Sequence, residues 1–162
     1  MIFSSPDKNF TRGYELFRVQ KYGAAQDFFN RAIAEYGNEN NTQKSEAQYY
    51  AAMCAVELFH LESENLVYQF VSRNTESPMV NNAYFRLAGY FYKNKNYPKA
   101  ITYYKKIDRY LLSADEISEY YFNKGYSYYI GNDFEEARIA FFEIKDIDTR
   151  YSAPALYYYS HI

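Results

Sequence analysis

The sequence predicts an all-α solenoid of antiparallel helix pairs, with about four and a half repeats on about nine helices. Two observations predict it. In the stretch YFRLAGYFYKNKNYPKAITYYKKI, residues 84–107, Tyr84, Leu87, Ala88 and Phe91 recur at helical spacing. Tyr97, Ala100, Tyr104 and Ile107 then do so again, across a polar hinge at 93–96. A small residue on each half, Ala88 and Ala100, lets two helix backbones cross closely while the aromatics close over the contact. Moving the frame by 37 residues carries Tyr84 onto Tyr121, Ala88 onto Gly125, Phe91 onto Tyr128, Tyr97 onto Phe134, Ala100 onto Ala137, Tyr104 onto Phe141 and Ile107 onto Ile144. Small falls on small and ring on ring, the signature of a repeat.

Taken in order, Ser5 and Pro6 start the first helix, the serine as cap and the proline in the first turn. The first repeat, 6–37, runs through Gly13 and Leu16, hinges at Gln20 and Lys21, continues with Tyr22, Ala25, Phe29 and Ala32, and ends in GNENNT at 37–42. The second, 43–74, is expected to begin near Ser45 with Gln48 completing a capping box. Its doublet Tyr49-Tyr50 aligns with Tyr84-Phe85, Tyr121-Phe122 and Tyr157-Tyr158, which sets the register. Met53 takes the small slot, and the expected second helix, 65–73, offers Leu66 and Phe70 with no small residue at the crossing, which predicts shifted packing.

The third repeat, 78–111, opens at Ser77-Pro78, and its second helix follows Asn96 with Pro98 in the first turn. The fourth, 114–148, carries two expected capping boxes, Ser113 with Glu116 and Asp133 with Glu136. Ser152, Ala153 and Pro154 open a helix at 153–162, the first half of a further repeat. Solenoids normally end in a polar capping helix. This end is apolar, so the expectation is a piece of a longer array, with self-association of two copies through that helix. No linker, low-complexity run or second domain is visible.

The order aromatic, Leu, Gly or Ala, Tyr on one helix, then Ala and Phe or Tyr on the next, resembles the tetratricopeptide repeat, and the resemblance covers nearly the whole chain. It implies a right-handed superhelix, a bacterial repeat array, and a concave face lined by first helices that holds a peptide or a partner protein. By the resemblance the groove residues are Phe10, Tyr14, Phe17 and Arg18, then Tyr50 with Cys54 and Glu57, then Phe85, Gly89, Tyr92 and Lys93, then Phe122, Tyr126 and Tyr129, and last Tyr158. Rings stand where the carboxylate clamps of this family carry cations, with only Arg18 and Lys93 basic. An apolar or aromatic-anchored peptide is the expected ligand. A glycan- or small-ligand-binding repeat protein of the bacterial cell envelope is the alternative, against which the absence of tryptophan counts.

Composition narrows the chemistry. With 22 Tyr and 13 Phe among 162 residues, the chain suits surfaces apolar along the ring and wet at the hydroxyl, which describes joints between repeats as well as groove walls. Lys+Arg 18 against Asp+Glu 20 gives a net charge of −2, with no basic field for nucleic acid. No stretch reaches membrane length, so no membrane insertion is expected. The start, MIFSSPDKN, lacks the charged head and apolar run of a leader. The compartment stays open: cell envelope or periplasm if a leader was removed, cytoplasm otherwise.

Catalysis would draw on His60, His161 and Cys54 alone, with no convergent set; Cys54 reads as a structural thiol and His60 as a turn residue. Asp133, Glu135 and Glu136 open a helix, where negative charge is favourable. Asp146 and Asp148 lack the glycine and terminal glutamate of a calcium loop. No catalytic residue, metal or cofactor is expected.

Overall fold

A computed structural model describes residues 5–162; the opening MIFS of the stretch read for a leader lies outside them. Among the described residues are nine α-helices, one 3-10 turn and no strand. The chain divides into two compact units, 1–83 and 84–162.

The first unit holds α1 (Pro6–Arg18), α2 (Tyr22–Tyr36), α3 (Thr42–Glu57) and α4 (Ser63–Arg73). Each packs on the next, and α1 also touches α3. Helix α1 starts as expected, with Pro6 in its first turn and Ser5 Oγ accepting from Lys8 N at 3.3 Å. Its core joins Ala25, Phe29, Ala32, Ala47, Ala51 and Cys54. A Cβ built on Gly13 would meet the Phe29 ring at 3.0 Å, so the expected close crossing of α1 and α2 is real. Asp7 and Tyr36 tie the far end of the hairpin, the hydroxyl donating to Asp7 Oδ1 at 2.9 Å.

Two expectations for the second repeat need correction. The helix does not start at Ser45: Asn41 caps it, its Oδ1 accepting from Lys44 N at 2.7 Å, and an asparagine in extended backbone outcompetes a serine already one turn inside. Nor does α4 lack a small residue. It begins two residues earlier than expected, at Ser63, which is fully buried and donates from its hydroxyl to His60 O at 2.6 Å. Val67 and Phe70 are buried behind it, while Tyr68, at the Phe29 slot, is exposed. The small residue has moved by one position along the helix, which rotates the buried face accordingly.

The division falls within α5 (Val80–Lys93). The second unit continues with α6 (Tyr97–Tyr104), a 3-10 turn (Arg109–Leu111) that periodicity did not foresee, α7 (Ala114–Ile130), α8 (Phe134–Phe142) and α9 (Ser152–His161). Helices α6 to α9 pack in sequence, and Phe91 of α5 stacks on Tyr103 of α6 at 5.6 Å. Asn96 caps α6 through Lys99 N at 3.3 Å, with Pro98 in the first turn.

The capping box on α7 is complete: Ser113 N donates to Glu116 Oε2 at 2.9 Å and Glu116 N to Ser113 Oγ at 3.3 Å. The expected box on α8 is not made. Asp133 is the N-cap residue without a side-chain bond, and one position before Glu136, Glu135 pairs with Arg138 at 2.8 Å. Helix α5 starts later than Ser77-Pro78 suggested, Ser77 Oγ accepting from Met79 N at 3.2 Å one turn upstream. Helix α9 starts one residue early, with Tyr151 at the N-cap position.

Every hairpin hinge is built alike. Gln20, Phe59, Lys95 and Asn132 adopt φ of 60°, 57°, 58° and 62°. In each case the left-handed residue's N–H reaches the carbonyl three residues back and the next N–H reaches five back: Gln20 N to Phe17 O with Lys21 N to Leu16 O, and Asn132 N to Tyr129 O with Asp133 N to Tyr128 O. This is the Schellman closure of a helix end, here made four times without glycine.

Candidate functional site

The expected groove residues gather into two ring clusters, one in each unit, built from equivalent residues. In the first unit Tyr50 of α3 lies over the α1–α2 crossing. Its ring stacks on Phe29 at 5.4 Å and 17° and meets Phe10, Tyr14 and Phe17 edge-on at 6.2, 5.3 and 5.1 Å. In the second unit Tyr158 of α9 lies over the α7–α8 crossing. It stacks on Phe141 at 5.4 Å and 17° and meets Phe122, Tyr126 and Tyr129 at 6.4, 5.5 and 4.9 Å. Phe122, Tyr126, Tyr129, Phe134 and Phe141 each stand 112 positions after Phe10, Tyr14, Phe17, Tyr22 and Phe29. The edge contact of Phe17 with Tyr22, 5.3 Å, has its counterpart in Tyr129 with Phe134, 5.7 Å.

Within each cluster one ring is structural and the others are shared with solvent. Phe29 and Phe141 are fully buried, whereas Phe10, Phe17, Tyr50, Phe122, Tyr126, Tyr129 and Tyr158 are half-buried and Tyr14 is 39% exposed. Burial pushes the Tyr50 hydroxyl up to about 12, with the neighbouring Tyr14 and Glu46 adding to it. Tyr158 moves in the same direction for the same first cause, followed by Tyr126. These phenols stay protonated donors at any physiological pH.

The remaining expected residues divide. Tyr92 joins the second cluster, edge-on to Tyr97 and Tyr126 at 5.9 and 6.0 Å, and burial raises its pKa as well. Phe85 is buried, 4% exposed, and lines a separate cleft. Gly89 faces open space, with nothing within 4 Å of a Cβ built on it. Arg18 and Lys93 are exposed at the ends of α1 and α5 and make no ion pair among the described residues. Sequence reasoning named Tyr22, Tyr97 and Phe134 as repeat positions but not as groove residues; they are the rings that open α2, α6 and α8, and the 37-residue frame already aligned Tyr97 with Phe134.

The groups considered for catalysis do not converge. Cys54 is fully buried and its thiol is pushed up to about 12, first by burial and then by Glu57. His60 lies beside Glu62, Nδ1 to Oε1 at 3.4 Å. Among the described residues no group of His, Cys, Asp and Glu could hold a metal ion, and no helix is long and apolar enough to cross a membrane.

Helix pairs closed by a repeated hinge, with small residues at the crossings and rings above them, define a helical-repeat protein. The tetratricopeptide repeat family model matches residues 62–110, which span α4, α5, α6 and the 3-10 turn. No curated protein matches the chain. Repeats of this family generally mediate protein–protein interactions and are typically non-catalytic scaffolds.

Proposed function

We propose that this chain is a non-catalytic interaction module that holds a peptide or partner protein against its aromatic clusters, through Phe10, Tyr14, Phe17 and Tyr50 in one unit and Phe122, Tyr126, Tyr129 and Tyr158 in the other. One observation supports the reading above all. The ring that closes each helix crossing is fully buried, yet the rings laid over it on the first helices keep a solvent-facing side at equivalent places in both units. Burying the free side of such rings is a strong source of binding energy, because an aromatic carries much apolar area with few rotors. Tyrosine hydroxyls at the margin, held protonated, would orient the bound backbone. Arg18 and Lys93 add single cations at helix ends and not a clamp for carboxylates.

The test is selection of short peptides from a displayed library on the purified chain, followed by calorimetry on wild type, Tyr14→Ala and Tyr126→Ala. Ring truncation is expected to weaken binding of selected peptides about tenfold or more, the range of interface anchors. Selected peptides that bind both variants at wild-type affinity would overturn the assignment, and selection of glycans over peptides on the same rings would favour envelope ligand binding instead.

A further inference from the structure

Glycine inside a helix lowers stability relative to alanine, so each one beyond the first turn asks for a physical reason. Gly13 and Gly125 have theirs, since a Cβ on either would meet the buried ring of Phe29 or Phe141 at 3.0 Å. Gly89, in the middle of α5, has none of that kind. It is half-buried, and nothing lies within 4 Å of where its Cβ would be.

The repeat shows what is missing there. Residues at i, i+4 and i+7 share one helix face. On α1 that face carries the rings Phe10, Tyr14 and Phe17, and on α7 Phe122, Tyr126 and Tyr129. The middle ring stacks on its neighbours: Tyr14 on Phe10 at 6.4 Å and 4°, and Tyr126 on Phe122 at 6.3 Å and 17° and on Tyr129 at 6.4 Å and 29°. On α3 the middle residue is Cys54, which is fully buried, so the chain itself covers that place. On α5 the same face reads Phe85, Gly89, Tyr92, two rings with the middle one absent.

Both ends of this gap are held by rings of the second unit. Tyr92 stands edge-on to Tyr126 of α7 and Tyr97 of α6, at 6.0 and 5.9 Å. At the other end Phe85 lines a cleft of about 490 Å³ walled by α5, the first turns of α7 and the turn before α9, and Tyr151 of that turn contacts Phe122 at 5.3 Å.

We infer that Gly89 is the specificity-determining residue of the second unit: the place it leaves open seats an aromatic side chain of the bound peptide, whose ring supplies the missing middle ring against Tyr92. The proposal rests on the peptide-binding reading above and adds a sequence preference to it. A ring is favoured there over an aliphatic chain of similar size, because stacked and edge-on ring contacts add to the area buried.

Amide chemical shifts of the full chain, titrated with N-acetyl-phenylalanine amide and N-acetyl-leucine amide, test this directly. The phenylalanine probe is expected to move the amides of Gly89 and Tyr92 in a saturable way, and the leucine probe to bind about threefold more weakly. Gly89→Tyr, which puts the chain's own ring into the gap, should weaken the phenylalanine probe about tenfold with a melting temperature no lower than wild type. No saturable shift at Gly89, equal binding of the leucine probe, or full affinity in Gly89→Tyr would each overturn the proposal. So would a lower melting temperature of that variant, which would mean that the place is not open to a ring. Failure of this inference is distinguishable from failure of the aromatic face. A selected peptide that responds to Tyr126→Ala and binds Gly89→Tyr at wild-type affinity sinks only the former.

Discussion

Adding one methyl group at two glycines of the same unit should move stability in opposite directions. At Gly125, a Cβ would lie 3.0 Å from Phe141 Cε1 and 3.1 Å from Ala140 Cβ, well inside the roughly 3.5–4.0 Å of relaxed carbon contacts. Phe141 cannot swing away, since it is fully buried and its ring is backed by Tyr158, stacked 5.4 Å away. Overpacking of this kind costs about 1–3 kcal/mol, and replacing a helical glycine by alanine returns up to about 1 kcal/mol. Gly125→Ala should therefore lose about 0–3 kcal/mol by difference.

Gly89 has open space where its Cβ would go, so Gly89→Ala keeps the propensity gain alone, about 0.5–1 kcal/mol. At about 2–4 °C per kcal/mol for a chain of this size, thermal melts followed by far-ultraviolet circular dichroism should separate the two variants by several degrees. Gly125→Leu should fall further. Gly125→Ala melting at or above Gly89→Ala would refute the argument that the α7–α8 crossing is set by the missing side chain.

Other perturbations follow from the caps, the hinges and the buried ionisable groups. Ser113→Ala removes the side-chain half of the α7 capping box, leaving the backbone N–H of residue 113 to donate to Glu116, and should cost about 0.5–2 kcal/mol in urea denaturation. Lys95 sits at φ 58°, so Lys95→Gly should raise the melting temperature, the relief of about 1–2 kcal/mol exceeding the entropy that glycine adds; a fall would argue against the hinge geometry. Tyr36 and Tyr50 are both pushed up to about 12 from an ordinary 10, first by burial, with Asp7 also acting on Tyr36. A raised folded pKa means that the native state holds its proton longer than the unfolded chain, so their contribution is complete below pH 10 and lost as pH rises toward 12. Denaturant melts across that window, with tyrosinate absorbance recorded in parallel, should show unfolding and ionisation together. Cys54 should resist thiol reagents in the native state and react at once in denaturant.

Most of the architecture was legible because the repeat writes it in residue size. Gly13, Ala25, Ala100, Gly125 and Ala137 mark the crossings, and the doublets ending in Tyr50, Phe85, Phe122 and Tyr158 set the register. The frame failed where a small polar residue did the work of alanine: Ser63 is invisible to an apolar pattern, since its burial depends on donating its hydroxyl to His60 O. A helix start failed where two capping residues competed, as Asn41 did with Ser45, whereas α8 starts where expected, after Asp133, without the expected box. Of the ring residues, the sequence told which lie on first helices but not how far each is covered. Phe85 is buried and Phe122 half-buried although they share a register position. The cleft left no trace in the sequence, because its walls come from turns and helix starts far apart along the chain.

The four hinges share a backbone shape and nothing else. Glutamine, phenylalanine, lysine and asparagine occupy the same left-handed position, each locked by the same pair of main-chain bonds. Reversal of the chain is thus written in peptide groups, and at Gln20, Lys95 and Asn132 the side chain at the tip is exposed and open to replacement. Such tips are natural places to graft a tag, a label or a new recognition residue onto this scaffold.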